Sequence, residues 1–138
     1  MFQKPYFLPS FIFLVLTAIL HFLALEFHLY WDVWWFDCVV HFCGGICVAL
    51  ATLWFFYYSE IVEKQKLSNF SMFFRLIFTT FIIGIIWEFF EFHFGLTFIH
   101  HSNFLVGIFD SVSDIIMDLL GAIVVGFYIS YLSDLDVK

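Results

Sequence analysis

Four stretches of the chain are apolar over about the length of a membrane crossing, and the polar residues lie between them or near one end of them. The first runs from about Leu8 to Leu25, the second from Asp37 to Tyr58, the third from Met72 to Phe94 and the fourth from Asp110 to Leu132. Spanning a hydrocarbon core of ~30 Å takes about twenty helical residues, which each stretch supplies. None shows the alternation of a barrel strand. Backbone in lipid must satisfy its own hydrogen bonds, which leaves helices. The pattern predicts an all-α fold, a polytopic four-helix transmembrane bundle occupying residues 1–138 as one domain. The first stretch follows Pro5 and Pro9. It is long for the apolar core of a signal peptide and lacks an A-x-A-like site, so it reads as a retained helix.

Composition agrees with the pattern. The chain is 64% hydrophobic and only 12% charged, too little charge to wet the surface of a soluble domain. The formal net charge of −7 argues against nucleic acid as a partner, because a basic footprint is missing. All five basic residues, Lys4, Lys64, Lys66, Arg75 and Lys138, fall in the N-terminus, the second connection with its adjoining helix end, or the C-terminus. With four crossings these regions share one side, and the positive-inside rule places both termini in the cytoplasm. Tyr30, Trp31, Trp34 and Trp35 then fit an outer aromatic belt, and Trp54, Tyr57, Tyr58, Tyr128 and Tyr131 an inner one.

Cys38, Cys43 and Cys47 lie within one helical stretch, where their directions do not suit an internal disulfide. Cys43 and Cys47, four apart, form a conceivable metal pair, but small apolar packing explains them more simply. An intermolecular disulfide stays open.

The acids and histidines carry the chemistry. At 100° and ~1.5 Å per residue, Asp37 and His41 are neighbours on the second helix, with Gly44 and Gly45 one turn deeper. On the third, Gly84, Glu88, Glu91 and Gly95 share a face; on the fourth, Asp110, Asp114 and Asp118 descend in a stripe continued by Gly121. His41 falls ~6 Å inside Asp37, Glu88 ~9 Å from its helix end, and Asp118 ~12 Å below Asp110. All lie in the outer half of the membrane, so a shared pocket is the economical arrangement.

A carboxylate near the middle of a lone helix costs ~2.5–3.5 kcal/mol on insertion scales. No Lys or Arg lies on this side to pair with the six acids, which repel unless several are neutral. A divalent metal ion resolves the charge. Carboxylate with imidazole suits Zn, Mn or Fe; carboxylate alone suits Mg or Ca. The candidate metal ligands are therefore Asp37, His41, Glu88, Glu91, Asp110, Asp114 and Asp118. Simpler roles compete: Asp37 and Asp110 are also candidate N-caps, His41 a hydrogen-bonded core histidine, Glu91 a solvated acid, and the glycines close-packing positions between helices. Glu88 and Asp118 are hardest to explain structurally. His93 points away from Glu88, and Cys43 and Cys47 lie opposite His41. His21, Glu26, His28, His100 and His101 stay unassigned.

The same residues carry a resemblance. Asp37-Cys-Val-Val-His41-Phe42 resembles the D-x-x-x-H-F opening of the second helix in VanZ-like proteins and related YjdF-type small inner-membrane proteins. Trp87-Glu88-Phe-Phe-Glu91 is similar to the W-E-x-x-E element of the latter. Asp114-Ile-Ile-Met-Asp118-Leu-Leu-Gly121-Ala122 resembles the last-helix pattern D-x-x-x-[ND]-x-x-G-A of both. The match covers the second to fourth helices. It implies a compact bundle of four or five helices in the inner (plasma) membrane, in a group whose founding member is linked to teicoplanin resistance. The basic residue that often follows the first Asp is Cys38 here.

Three functions compete. The first is a metal-dependent hydrolase or transferase acting on a lipid or lipid-linked substrate at the outer leaflet, with Glu88 or Glu91 as general base. An anionic substrate approaches this acid-rich pocket only if metal reverses its charge. The second is a cation or proton carrier, channel subunit or sensor, although the inner halves of the helices lack ionisable residues. The third is a non-catalytic accessory protein using the cluster as a buried polar lock. The bilayer is the expected partner, and Gly- and Ala-bearing faces allow a homodimer.

Overall fold

The computed structural model describes residues 6–58, 69–95 and 104–135. Helix α1 covers Phe7–Glu26, a single turn α2 covers Leu29–Asp32, α3 covers Phe36–Leu53, α4 covers Asn69–Phe94 and α5 covers Phe104–Leu135. Among the described residues, four helices are long and apolar enough to cross a membrane: α1, α3 with its continuation to Phe56, α4 and α5. The fold is all-α.

Helix α3 is the hub and packs against α1, α4 and α5. Its union with α5 is close because both helices carry glycine where they meet. A Cβ on Gly45 would overlap the Asp118 carbonyl, and one on Gly121 would stand 2.5 Å from the Phe42 carbonyl oxygen. With lipid on the outside, apolar burial gives little preference for one helix neighbour over another, so such contact depends on small residues and interhelical hydrogen bonds. Thr52 of α3 and Thr79 of α4 supply one such bond at 3.0 Å. Beneath them Leu50 and Leu53 pack with Leu76, Ala122 and Val125. Helix α1 is peripheral: Ala24 is its sole buried residue among those described. The Ser10 hydroxyl donates to the Cys47 carbonyl at 3.3 Å, pinning α1 to α3. Phe7 and Trp54 meet edge to face at 5.3 Å.

Several local expectations are corrected. The second helix changes to a wider π-helical turn over Trp54–Tyr58. Helix α5 starts at Phe104 rather than Asp110, because the apolar run 104–109 extends the helix by nearly two turns, through Gly107. Asp110 is therefore inside the helix, not an N-cap. Trp35 is the N-cap of α3; Asp37 lies in the first turn, where the helix dipole favours an anion. Gly95 belongs to no packing face, since its φ of 67° makes it the left-handed residue that ends α4. The first connection contains α2, entered through His28 at φ 55°, and this turn buries Tyr30 against Ala24 and Val40 instead of leaving it in an aromatic belt.

Candidate metal centre

His41 stands at the middle of the polar cluster, buried to 4% exposure in the first turns of α3. Its Nε2 lies 3.5 Å from Asp37 Oδ1, one turn back on the same helix, and 3.9 Å from Glu88 Oε1 on α4. On the other side of the ring, Nδ1 lies 3.4 Å from Asp118 Oδ2 on α5. One imidazole thus faces carboxylates from three helices. The glycines make this approach feasible: Gly44 and Gly84 leave room beside the Asp118 carboxylate, 3.6 Å and 2.7 Å from where their Cβ atoms would be.

Two groups have donor atoms that all lie within 4.8 Å of one another. One is Asp37, His41 and Asp114; the other is His41, Glu88 and Glu91. Glu91 and Asp114 are buried. Several donors are unsatisfied: Asp37 Oδ1, His41 Nε2, both oxygens of Glu88 and Asp114 Oδ1 are buried without a hydrogen-bond partner among the described residues. Ser111 sits beside Glu88. Asp110 is near enough to act electrostatically on Asp37, Glu88 and Asp114. Buried polar atoms normally have partners, so convergent donors left bare are what a ligand or ion site requires.

The donor set fits a divalent ion. In a tetrahedral site with ~2.0–2.2 Å bonds, donors stand ~3.3–3.6 Å apart, and the Asp37–His41 pair already does. Imidazole with several carboxylates suits Zn²⁺, Mn²⁺ or Fe²⁺.

An outer layer surrounds these groups. The Trp87 indole N–H donates to Glu91 Oε1 at 2.8 Å. The His21 ring of α1 packs edge-on to Trp87, 5.6 Å between centroids, and its Nδ1 is 2.7 Å from the Tyr30 hydroxyl. Tyr30 lies between the spans. Its phenol is raised well above the usual range by burial, and next by the negative charge of Asp37, Glu91 and Asp114. It stays protonated.

A family comparison agrees with this architecture. The chain belongs to the family described as predicted membrane protein (DUF2238). The family match covers residues 4–134 of the 138. No curated protein and no solved structure matches the chain.

In this DUF2238 member, the structure gathers Asp37, His41, Glu88, Glu91, Asp114 and Asp118 around one imidazole or its neighbours, with Asp110 at the edge. His93 is exposed, as are Glu26 and His28. Cys43 and Cys47 are free thiols with Cys38; contrary to the expectation from the helical wheel, Cys47 shares a cavity with His41. His100 and His101 lie outside the described residues. Sequence reasoning missed Tyr30, Trp87 and His21 as supporting residues. The W-E-x-x-E spacing held a signal for Trp87, since i and i+4 neighbours can hydrogen-bond on a helix.

Proposed function

We propose that the cluster holds a divalent metal ion and that the protein is a metal-dependent hydrolase or transferase acting on a lipid or lipid-linked substrate at the outer leaflet. The observation that carries this reading is the convergence of ligand atoms: His41 Nε2, Glu88, Asp37 Oδ1 and Asp114 Oδ1 meet in a buried space without a geometric hydrogen bond among the described residues. The ion would supply Lewis acidity toward a carbonyl or phosphoryl oxygen and lower the pKa of a bound water. Asp37, His41 and Asp114, or His41 with Glu88, would hold it. Glu91, which accepts a hydrogen bond from Trp87, would take a proton from the attacking group.

The orientation completes the proposal. The site occupies the end of the bundle opposite Arg75, and the positions of Lys4, Lys64, Lys66 and Lys138 support cytoplasmic termini in the plasma (inner) membrane. The three motifs support kinship with VanZ-like and YjdF-type proteins. A homodimer is compatible with this arrangement.

The direct hydrogen bond between His41 and Asp118 favours a second reading, a polar lock joining α3 to α5 with no ion. A cation- or proton-binding transporter or sensor would use the same acids. Elemental analysis of purified protein separates these. One metal per chain in the native protein, lost in H41A, supports the centre; no stoichiometric metal in either leaves the lock. Divalent-dependent turnover of lipid in vesicles supports the enzyme, and ion flux without turnover supports transport.

A further inference from the structure

The two nitrogens of the buried His41 ring have different surroundings. Nδ1 is hydrogen-bonded to Asp118 Oδ2 of α5 at 3.4 Å. Nε2 makes no geometric hydrogen bond among the described residues, although Asp37 Oδ1 stands 3.5 Å away and Glu88 Oε1 3.9 Å away. An ionised carboxylate only accepts hydrogen bonds, so in the His41–Asp118 pair the proton belongs to Nδ1. The neutral ring then carries its lone pair on Nε2. A lone pair turned toward carboxylate oxygens is repulsive until a cation stands between them.

Asp118 is also held in a way of its own. Its backbone lies against Gly45 of α3, where a Cβ would overlap the Asp118 carbonyl. Its carboxylate is flanked by Gly44 of α3 on the Oδ1 side and Gly84 of α4 on the Oδ2 side. Two neighbouring helices thus confine both the backbone and the side chain of one buried acid. Both convergent donor groups contain His41, and neither contains Asp118.

We propose that Asp118 is a positioning residue and not a ligand: it accepts the Nδ1–H of His41 and so presents Nε2 alone to the ion. This rests on the metal reading and deepens it, separating the acids that bind from the acid that orients. Which imidazole nitrogen a metal takes is set by the hydrogen bond that the other makes. The two nitrogens point to opposite sides of the ring. Asp37 and Glu88 gather on the Nε2 side, whereas Asp118 lies behind it. A carboxylate on the far N–H fixes the tautomer, holds the ring against rotation and makes the ligating nitrogen more basic. Because the ring belongs to α3 and its acceptor to α5, the glycine contact between these helices sets the orientation of the ligand.

The test uses the full-length protein in detergent, stripped with chelator and titrated with Co²⁺, whose visible absorption reports the ligand set. The wild type should bind one equivalent, and H41A none. D118A should keep the stoichiometry and the wild-type spectrum while its affinity falls about 10–100-fold. D118N, whose amide oxygen still accepts from Nδ1–H, should lose less. An altered spectrum or a lost equivalent in D118N makes Asp118 a ligand, which overturns the assignment and leaves the metal reading standing. Affinity unchanged in every folded variant overturns it as well. Absence of binding by the wild type sinks the metal reading itself, and the positioning role with it. Nuclear magnetic resonance of zinc-loaded protein with isotope-labelled histidine decides the matter even where D118A does not fold: His41 should carry its proton on Nδ1 and the metal on Nε2, and the reverse arrangement overturns the proposal.

Discussion

Gly84 of α4 faces the Asp118 carboxylate of α5 so closely that a Cβ on the glycine would lie 2.7 Å from Oδ2. The obstructing atom is the end of a side chain, so G84A should displace the carboxylate from His41 and leave the helices in place. We expect the variant to fold and to bind Zn²⁺ about 10–100-fold more weakly, the usual effect of disturbing groups that orient ligands. Calorimetric titration of metal into chelator-treated protein checks this.

Gly45 and Gly121 should respond differently. Added methyls there meet backbone atoms of the facing helix, which cannot swing aside. G45A or G121A should destabilise the bundle by about 1–3 kcal/mol or more, as overpacking does, measured by unfolding in mixed detergent. Equal losses in G84A and G45A would mean that the two glycines do not differ as described.

Removing the indole donor tests Glu91. In W87F the buried carboxylate loses the 2.8 Å bond from Trp87. A buried acceptor left without its partner costs about 1–3 kcal/mol. The predicted signature is lower thermal stability with metal stoichiometry retained, together with loss of any divalent-dependent lipid turnover. Retained turnover would mean that the Trp87 bond is not needed for Glu91 to act as base.

Tyr30 sets an alkaline limit. Folding raises its phenol above the ordinary value near 10, through burial and three neighbouring acids. The folded state therefore favours the protonated form. The stabilising contribution is complete below the unfolded value and is lost as pH rises above it, because only the unfolded chain ionises easily. Stability should fall above about pH 10, and Y30F should flatten that decline. Ultraviolet titration should show one tyrosine fewer ionising in the folded protein than after denaturation.

Acid acts on the metal instead. Carboxylate and imidazole donors must be deprotonated to bind, so affinity should decrease steadily as pH is lowered. Titrations at several pH values, compared with D114N, would show this; affinity independent of pH would exclude His41 as a ligand.

Much of the site was legible because helical periodicity is regular: Asp37 with His41, Glu88 with Glu91 and Asp114 with Asp118 are each one turn apart, and their depths follow from counting. The helix ends were less legible. Nothing in the run 104–109 marks where α5 begins, which misplaced Asp110 relative to the helix start, and Gly95 looked like a packing glycine until its φ showed a cap. Tyr30 was hidden because one isolated turn has no periodicity, and its burial arises from α1 folding back beside it. His21 meets Trp87 only through tertiary packing.

Since His41 belongs to both donor triads, they cannot be filled independently. Asp37 and Glu88 approach the same ring nitrogen. An ion bonded there through Asp37 and Asp114 denies that nitrogen to Glu88 and Glu91. Binding should therefore saturate at one equivalent, with two alternative resting positions a short step apart. Exchanging one pair of acids for the other would let the ion travel toward or away from Glu91 without ever leaving the imidazole.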